Sequence, residues 1–292
     1  MTRDPAEQIG LYCRRIAQSA LSDATVTVYQ RRARQFGEFL TAGGDQYAGA
    51  FDDPDTRDYA ARDWRRHLLT VEKVSPATVA QHMTVVGALF EWAGLGRPAG
   101  LSVDVPPAAK TGLDEADLRR VLRAAKSRGA RDYALVTLLA STGIRVGEAT
   151  ALDVDDVAIT DRTGQLAVRY GKGGRPRKVH LGPQTRAAVK GWLLERPGDP
   201  ERGPLWVARN GIDRLSGRAV YQVVVSTGQA AGVALHPHAL RHTAARRMID
   251  NGVPITDVQA VLGHKSVRTT SIYTNPTAAD LERAVEVAEL EP

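Results

Sequence analysis

A single cysteine, Cys13, stands among 292 residues, which excludes an internal disulfide and any cysteine-based zinc site. No apolar run approaches the roughly eighteen residues that a membrane span needs. The opening MTRDPAEQIG carries acids where a secretion signal has its apolar stretch. A cytoplasmic protein with no membrane contact is therefore expected. Neither a glycine-rich nucleotide loop nor a carboxylate cluster with metal-ligand spacing occurs, so the expectation is no cofactor and no metal. Aromatics are also sparse, with four Trp, four Phe and eight Tyr. A tyrosine in a polar run draws notice for that reason, as Tyr273 does in LGHKSVRTTSIYTNP.

What the chain does have is unevenly spread positive charge. The formal net charge is +6, yet residues 1–100 hold 12 basic and 12 acidic side chains, so the whole excess lies beyond them. Arg162 to Leu194 contains eight basic residues and no acid; Arg214 to Ile249 contains five basic residues, three histidines and no acid. Either window alone reads as a solvated face, but the two together favour a surface that follows phosphates.

The first hundred residues carry helical periodicity throughout. PAEQIGLYCRRIAQSA places Ile9, Tyr12 and Ile16 on one face. A second helix follows Ser22-Asp23 with Val28, Tyr29, Phe36, Phe39 and Leu40 in register, and TRDYAARDWRRHLLTV supplies a third. SPATVAQHMTVVGALFEWAG supplies a fourth, with Ser75 as cap and Pro76 at the first helical position. Two basic clusters, Arg31, Arg32, Arg34 and Arg62, Arg65, Arg66, sit on these helices as candidate phosphate contacts or as solvated faces paired with nearby acids. A Pro- and Gly-rich stretch, residues 98–112, reads as a linker between a helical domain (1–97) and a second domain (113–276). That second domain begins with two helices, LDEADLRRVLRAAKS and RDYALVTLLASTG. GQLAVRYGKGGRPRKVHLGP then alternates apolar and polar residues around a Gly-rich break, the pattern of a β-hairpin. The fold class expected is mainly α with a small β-sheet (α+β).

Four stretches of the second domain share one chemical theme. In STGIRVGEATAL, Arg145 and Glu148 are three apart and would be neighbours on a helix, so the acid would orient the guanidinium; alone, this is a common salt bridge. Lys172 lies among glycines at the hairpin turn, followed by Arg175, Arg177 and Lys178 as further candidate phosphate contacts. In LHPHALRHTAARRMIDNG, Pro237 opens a helix, which puts His238 and Arg241 near its phosphate-favouring N-terminus. His238 and His242 are also four apart, as in zinc-binding helices, but no glutamate follows His238 and no third ligand is evident. In the fourth stretch a helix stops at Gly263, His264 follows, and Ser266 would cap a last short helix bearing Tyr273. Two arginines, two histidines and a lysine would cradle one phosphodiester while the tyrosine attacks phosphorus.

The order Arg145, Lys172, His238-x-x-Arg241, His264, Tyr273 resembles the tyrosine recombinase (phage integrase) family. The likeness continues in TGIRVGEA, GKGG, HALRHT, VLGH and TTSIYT, and into the first domain through SDATVTVYQRRARQFGEFL and SPATVAQHM. It implies an N-terminal four-helix, SAM-like core-binding domain and a C-terminal catalytic domain that clamp double-stranded DNA. It also implies Tyr273 as nucleophile, Arg145, Arg241 and His264 as phosphate ligands, His238 as proton acceptor, Lys172 as general acid and Glu148 in support. A homotetramer on two DNA sites, exchange through a Holliday junction, a nucleoid-associated location and an accessory DNA-bending or directionality protein follow from the same resemblance. The likeness is to two-domain members. It leans toward a mobile-element integrase and leaves open a resolvase of the Xer type, a type IB topoisomerase-like enzyme, or a non-catalytic DNA-binding protein. The tail, residues 277–292, carries an apolar stripe of Leu281, Ala284, Val285 and Ala288 that would dock on a neighbouring subunit or on its own domain.

Overall fold

The computed structural model describes residues 3–105, 112–169, 176–208, 211 and 213–263. The chain divides into two compact units, with the boundary between Pro107 and Ala108.

The first unit holds four helices: α1 (Pro5–Ala17), α2 (Asp23–Ala42), α3 (Pro54–Thr70) and α4 (Pro76–Trp92). Each begins where a short oxygen-bearing side chain can accept from orphaned backbone N–H groups. Asp4 accepts from Ala6 and Glu7, Ser22 from Thr25, Asp53 from Thr56 and Ser75 from Thr78. Ile9, Tyr12, Phe36, Leu40, Trp64, Leu68, Leu89 and Phe90 form the core. The sequence reading missed a short 3-10 turn, Gly44–Tyr47, and the Ala50-Phe51 pair buried after it. Such a turn has no period to detect, yet burying Phe51 alone contributes about 2 kcal/mol.

Two expectations for this unit need correction. Residues 98–103, read as linker, are tied to it: Leu101 and Val103 pack on its core, and Arg65 Nη1 donates to the carbonyls of Gly100 (2.9 Å) and Ser102 (2.7 Å). Arg32, read as a DNA contact, is buried and donates to Gln81 of α4. Its neighbours Arg31 and Arg34 are exposed.

The second unit is built around α6 (Ala130–Thr142), which is buried from Ala134 through Ala140 because it is apolar nearly all round. Packed on it are α5 (Glu115–Ser127), α8 (Pro183–Glu195) and α10 (Pro237–Asp250), while α9 (Gly217–Ala231) packs on α5. Between α7 (Val146–Ala151) and α8 runs an antiparallel sheet in the order β1 (Val157–Ile159), β2 (Gly164–Val168), β3 (Arg177–His180). The pairs Val157↔Leu166, Leu166↔Val179 and Val168↔Arg177 fix its register. The two expected hairpin strands are β2 and β3; β1 is an addition, three residues long and too short to read. Finally α11 (Ile255–Leu262) lies on α10, with Val258 and Leu262 buried against Ala245. No described helix is long and apolar enough to cross a membrane.

Candidate active site

The site starts where α6 stops. Gly143 adopts φ +63°, and the turn it permits brings Arg145 to the cap position of α7. Glu148, at the third position of α7, reaches back so that its Oε2 accepts from the Arg145 backbone N–H (2.9 Å). Its Oε1 accepts from Arg145 Nη1 (2.9 Å). The expected i, i+3 partnership is present, with the carboxylate 3% exposed and Arg145 29% exposed.

A third member joins from the sheet. Arg177, the first residue of β3, places Nη1 and Nη2 at 3.0 and 2.8 Å from the two oxygens of Glu148. Burial by itself would raise the Glu148 pKa. The bonds from Arg177 and from the Arg145 backbone, together with both positive charges, outweigh burial and hold it below its ordinary value.

Three guanidiniums then gather on the end of α11, whose last carbonyls have no partner inside the helix and form its negative pole. Arg177 Nε donates to Val261 O (2.9 Å), Arg241 Nη2 to Leu262 O (2.9 Å) and Arg145 Nη2 to Gly263 O (2.9 Å). Arg241 also donates to Gly143 O, so the ends of α6 and α11 are joined through one buried side chain. Gly263, at φ +67°, leaves room for Arg177, since a Cβ there would sit 2.9 Å from Arg177 Cζ. The residue after it is His264.

The start of α10 supplies the other wall. His236 caps the helix through Nδ1, which accepts from Ala239 N–H at 3.2 Å, and Pro237 occupies the first turn. His238 follows, its ring edge-on to His242 at 4.5 Å between centroids. Partial burial, then the positive charge of Arg241 and the neighbourhood of His236 and Arg145, lower the pKa of His238. His242 is lowered to about 4, first by burial and then by His238, His236 and Arg241. Both rings are thereby biased toward the neutral form, which has a lone pair to take a proton. Among the described residues no group of three histidines, cysteines or carboxylates is arranged to hold a metal ion.

Between these walls lies an open cleft of about 450 Å³, lined by Arg145, Arg241, His236, His238, Tyr221 and Gly217. Two cations and the N-termini of α9 and α10 face it, an arrangement suited to a phosphate group. Of the sequence-derived site residues, Arg145, His238 and Arg241 are brought together here, with Glu148 beneath Arg145. Lys172, Arg175, His264, Tyr273 and the tail lie outside the described residues. Arg177 is corrected from DNA contact to internal partner of Glu148, and Lys178 is exposed on β3. In the first unit, Arg62 and Arg66 are exposed beside Asp58 O and Asp63, and Arg65 is half-buried. The sequence reading missed His236 and Tyr221. His236 had a readable signal, its place directly before the helix-opening Pro237; Tyr221 had only its exposure on α9, which no motif marks.

Two helical units, the second with a small antiparallel sheet beside an arginine-walled cleft, have the architecture of the solved tyrosine recombinases. The Tn1549 transposon integrase in complex with transposon right end DNA superposes with a TM-score of 0.73 over 99% of both chains, at 18% identity. The crystal structure of XerA recombinase aligns with a TM-score of 0.53 at 26% identity, covering 98% of this chain and all of that one. In sequence, tyrosine recombinase XerD of Bifidobacterium longum is 31% identical over 284 residues, 88% of each chain. Tyrosine recombinase XerA of Pyrococcus furiosus is 32% identical, covering 79% of this chain and 81% of its own. Residues 112–280 match the phage integrase family model, and the chain belongs to that family.

Proposed function

We propose that the protein is a site-specific DNA recombinase that cuts and rejoins strands of double-stranded DNA through a 3′-phosphotyrosyl bond to Tyr273. The observation that carries this reading is the convergence of Arg145, Arg241 and His238 on one cleft. They come from two stretches of sequence more than ninety residues apart, the α7 cap and the first turn of α10, and the two arginines are braced against the carbonyls that precede His264.

In this mechanism Arg145 and Arg241 hold the nonbridging oxygens of the scissile phosphate, and His264 adds a hydrogen bond. Donors fixed beforehand stabilise the charge that develops on phosphorus without reorganising during the reaction. A phenol with a reference pKa of about 10 is a weak nucleophile at neutral pH, so His238, biased to the neutral form, accepts the Tyr273 proton. The phenolate oxygen bonds to phosphorus as the 5′-oxygen leaves, and Lys172 protonates that oxygen. Glu148 orients Arg145 and does not react. A 5′-hydroxyl from another strand then reverses the step, so the phosphodiester energy is conserved.

Residues 1–97 serve as the core-type DNA-binding domain, with Arg31, Arg34, Arg62 and Arg66 toward phosphates and Lys178 and Arg175 adding to the catalytic domain's grip. Four subunits on two DNA sites exchange strands in pairs through a Holliday junction in the cytoplasmic nucleoid, with the tail docking between subunits and an accessory DNA-bending protein assisting. The biological role proposed is a mobile-element integrase. The match to the XerD and XerA recombinases over four-fifths or more of their lengths favours, as the second reading, a resolvase of chromosome or plasmid dimers.

A suicide duplex, in which the released 5′ fragment diffuses away, tests the mechanism. Wild type traps a covalent adduct in the presence of EDTA, and Tyr273→Phe binds the same duplex without trapping. Cleavage that requires a metal and leaves no adduct would refute it. Relaxation of supercoils by a protein that never pairs sites would redirect it to a topoisomerase.

A further inference from the structure

Arg177 stands in an acid-free basic window, yet its guanidinium faces inward and the side chain is only 13% exposed. All three of its nitrogens are engaged by protein. Nη1 and Nη2 fork the Glu148 carboxylate, Nε donates to Val261 O, and Nη2 makes a longer contact to Leu262 O at 3.4 Å. Little donor capacity remains for a phosphate.

The charge arithmetic gives this arrangement a purpose. Glu148 on its own would neutralise Arg145, because the two share a near-ideal bond in a poorly hydrated place. With Arg177 bonded to the same carboxylate, the trio Arg145, Glu148 and Arg177 keeps one net positive charge. Arg145 is the member of that trio that lines the cleft. The same side chain ties β3, which begins five residues after Lys172, to the end of α11, two residues before His264.

We propose that Arg177 is a positioning residue for strand cleavage, taking up the charge of Glu148 so that Arg145 stays positive toward the scissile phosphate while β3 and α11 are held together. The inference rests on the recombinase reading above, because it presupposes a phosphate in the cleft.

The test uses the full chain, a suicide duplex at saturating protein, and single-turnover cleavage rates measured beside duplex affinity. Arg177→Met binds the duplex within about threefold of wild type and cleaves about a hundredfold more slowly, the order of loss that misplaced catalytic groups produce. Adding Glu148→Gln to Arg177→Met removes the unbalanced negative charge, and the double variant cleaves about tenfold faster than Arg177→Met. A purely structural role predicts the opposite, a deeper loss, and that result overturns the proposal. Arg177→Lys keeps the charge without the fork. It cleaves within about tenfold of wild type and carries the comparison if Arg177→Met does not fold; a hundredfold loss in Arg177→Lys would also overturn it. So would a variant that loses duplex affinity and about one unit of salt slope with an unchanged rate at saturation, which is the behaviour of a direct phosphate contact. A wild-type protein that forms no adduct refutes the recombinase reading itself. Adduct formation that is indifferent to Arg177 refutes this inference alone.

Discussion

Gly143→Ala perturbs the site at its hinge without replacing a charged side chain. The residue sits at φ +63°, a conformation that costs an L-residue about 1 kcal/mol. A Cβ there would also stand 2.5 Å from Leu262 Cδ2 and 3.2 Å from Ala244 Cβ. Leu262 is fully buried and cannot swing into solvent, so α11 must shift or Leu262 must leave its rotamer, an overpacking cost of about 2 kcal/mol. The sum is about 3 kcal/mol, and it falls where Arg241 bridges Gly143 O and Leu262 O. Gly232 supplies the control. It ends α9 at φ +65° with nothing within 4 Å of its would-be Cβ, so Gly232→Ala carries only the backbone cost of about 1 kcal/mol. Native-state hydrogen exchange read on peptides from α6, α10 and α11 reports both variants. Equal losses at the two glycines would refute the argument that α11 is packed directly onto the α6 exit.

Two further predictions concern acid. His82 is buried in the first unit beside Trp64, and burial, followed by the charges of Arg32 and Arg31, lowers its pKa from 6.5 to about 4. The unfolded chain therefore takes up a proton that the native one refuses. The first unit keeps its full stability above pH 6.5 and loses it as the pH falls toward 4, by about 2 kcal/mol at pH 5. Urea unfolding followed on first-unit peptides at pH 7 and pH 5 checks this: His82→Phe removes most of the difference, and a difference that survives it assigns the loss elsewhere. Glu148 loses its contribution in the same direction but in a lower pH range, because the bonds and charges of its two arginines outweigh burial and hold its pKa below 4.5. Its contribution is present above pH 4.5 and disappears as the pH drops through the lower native value. Glu148→Gln therefore destabilises the second unit at pH 7 by about 3 kcal/mol, as breaking a buried ion pair does, and flattens its acid unfolding limb. A variant as acid-sensitive as wild type would contradict this.

Local signals made most of the helices legible. Ser or Asp caps, prolines at the first position and a period near 3.6 marked the four helices of the first unit, and the i, i+3 spacing of Arg145 and Glu148 gave their contact. The misassigned arginines were readable on the same principle. Arg32 precedes Phe36 by four and Leu40 by eight, which puts it on the buried face of α2. Arg177 alternates with Val179 and Leu181, which points it inward from β3. Net charge in a window hid both, since charge counts do not record direction. The carbonyls that receive Arg145, Arg177 and Arg241 lie between 21 and 118 residues away and were not legible. They depend on how α11 is seated on α10, which no local pattern specifies.

In the proposed mechanism the phenolic oxygen of residue 273 attacks a phosphate held by Arg145 and Arg241. Protease digestion of the trapped adduct, followed by mass mapping, measures this most directly. The prediction is a nucleotide on the peptide containing Tyr273, with the yield abolished in Tyr273→Phe and strongly reduced in Arg241→Lys. A nucleotide on any other residue, or an adduct undiminished in Tyr273→Phe, would contradict it.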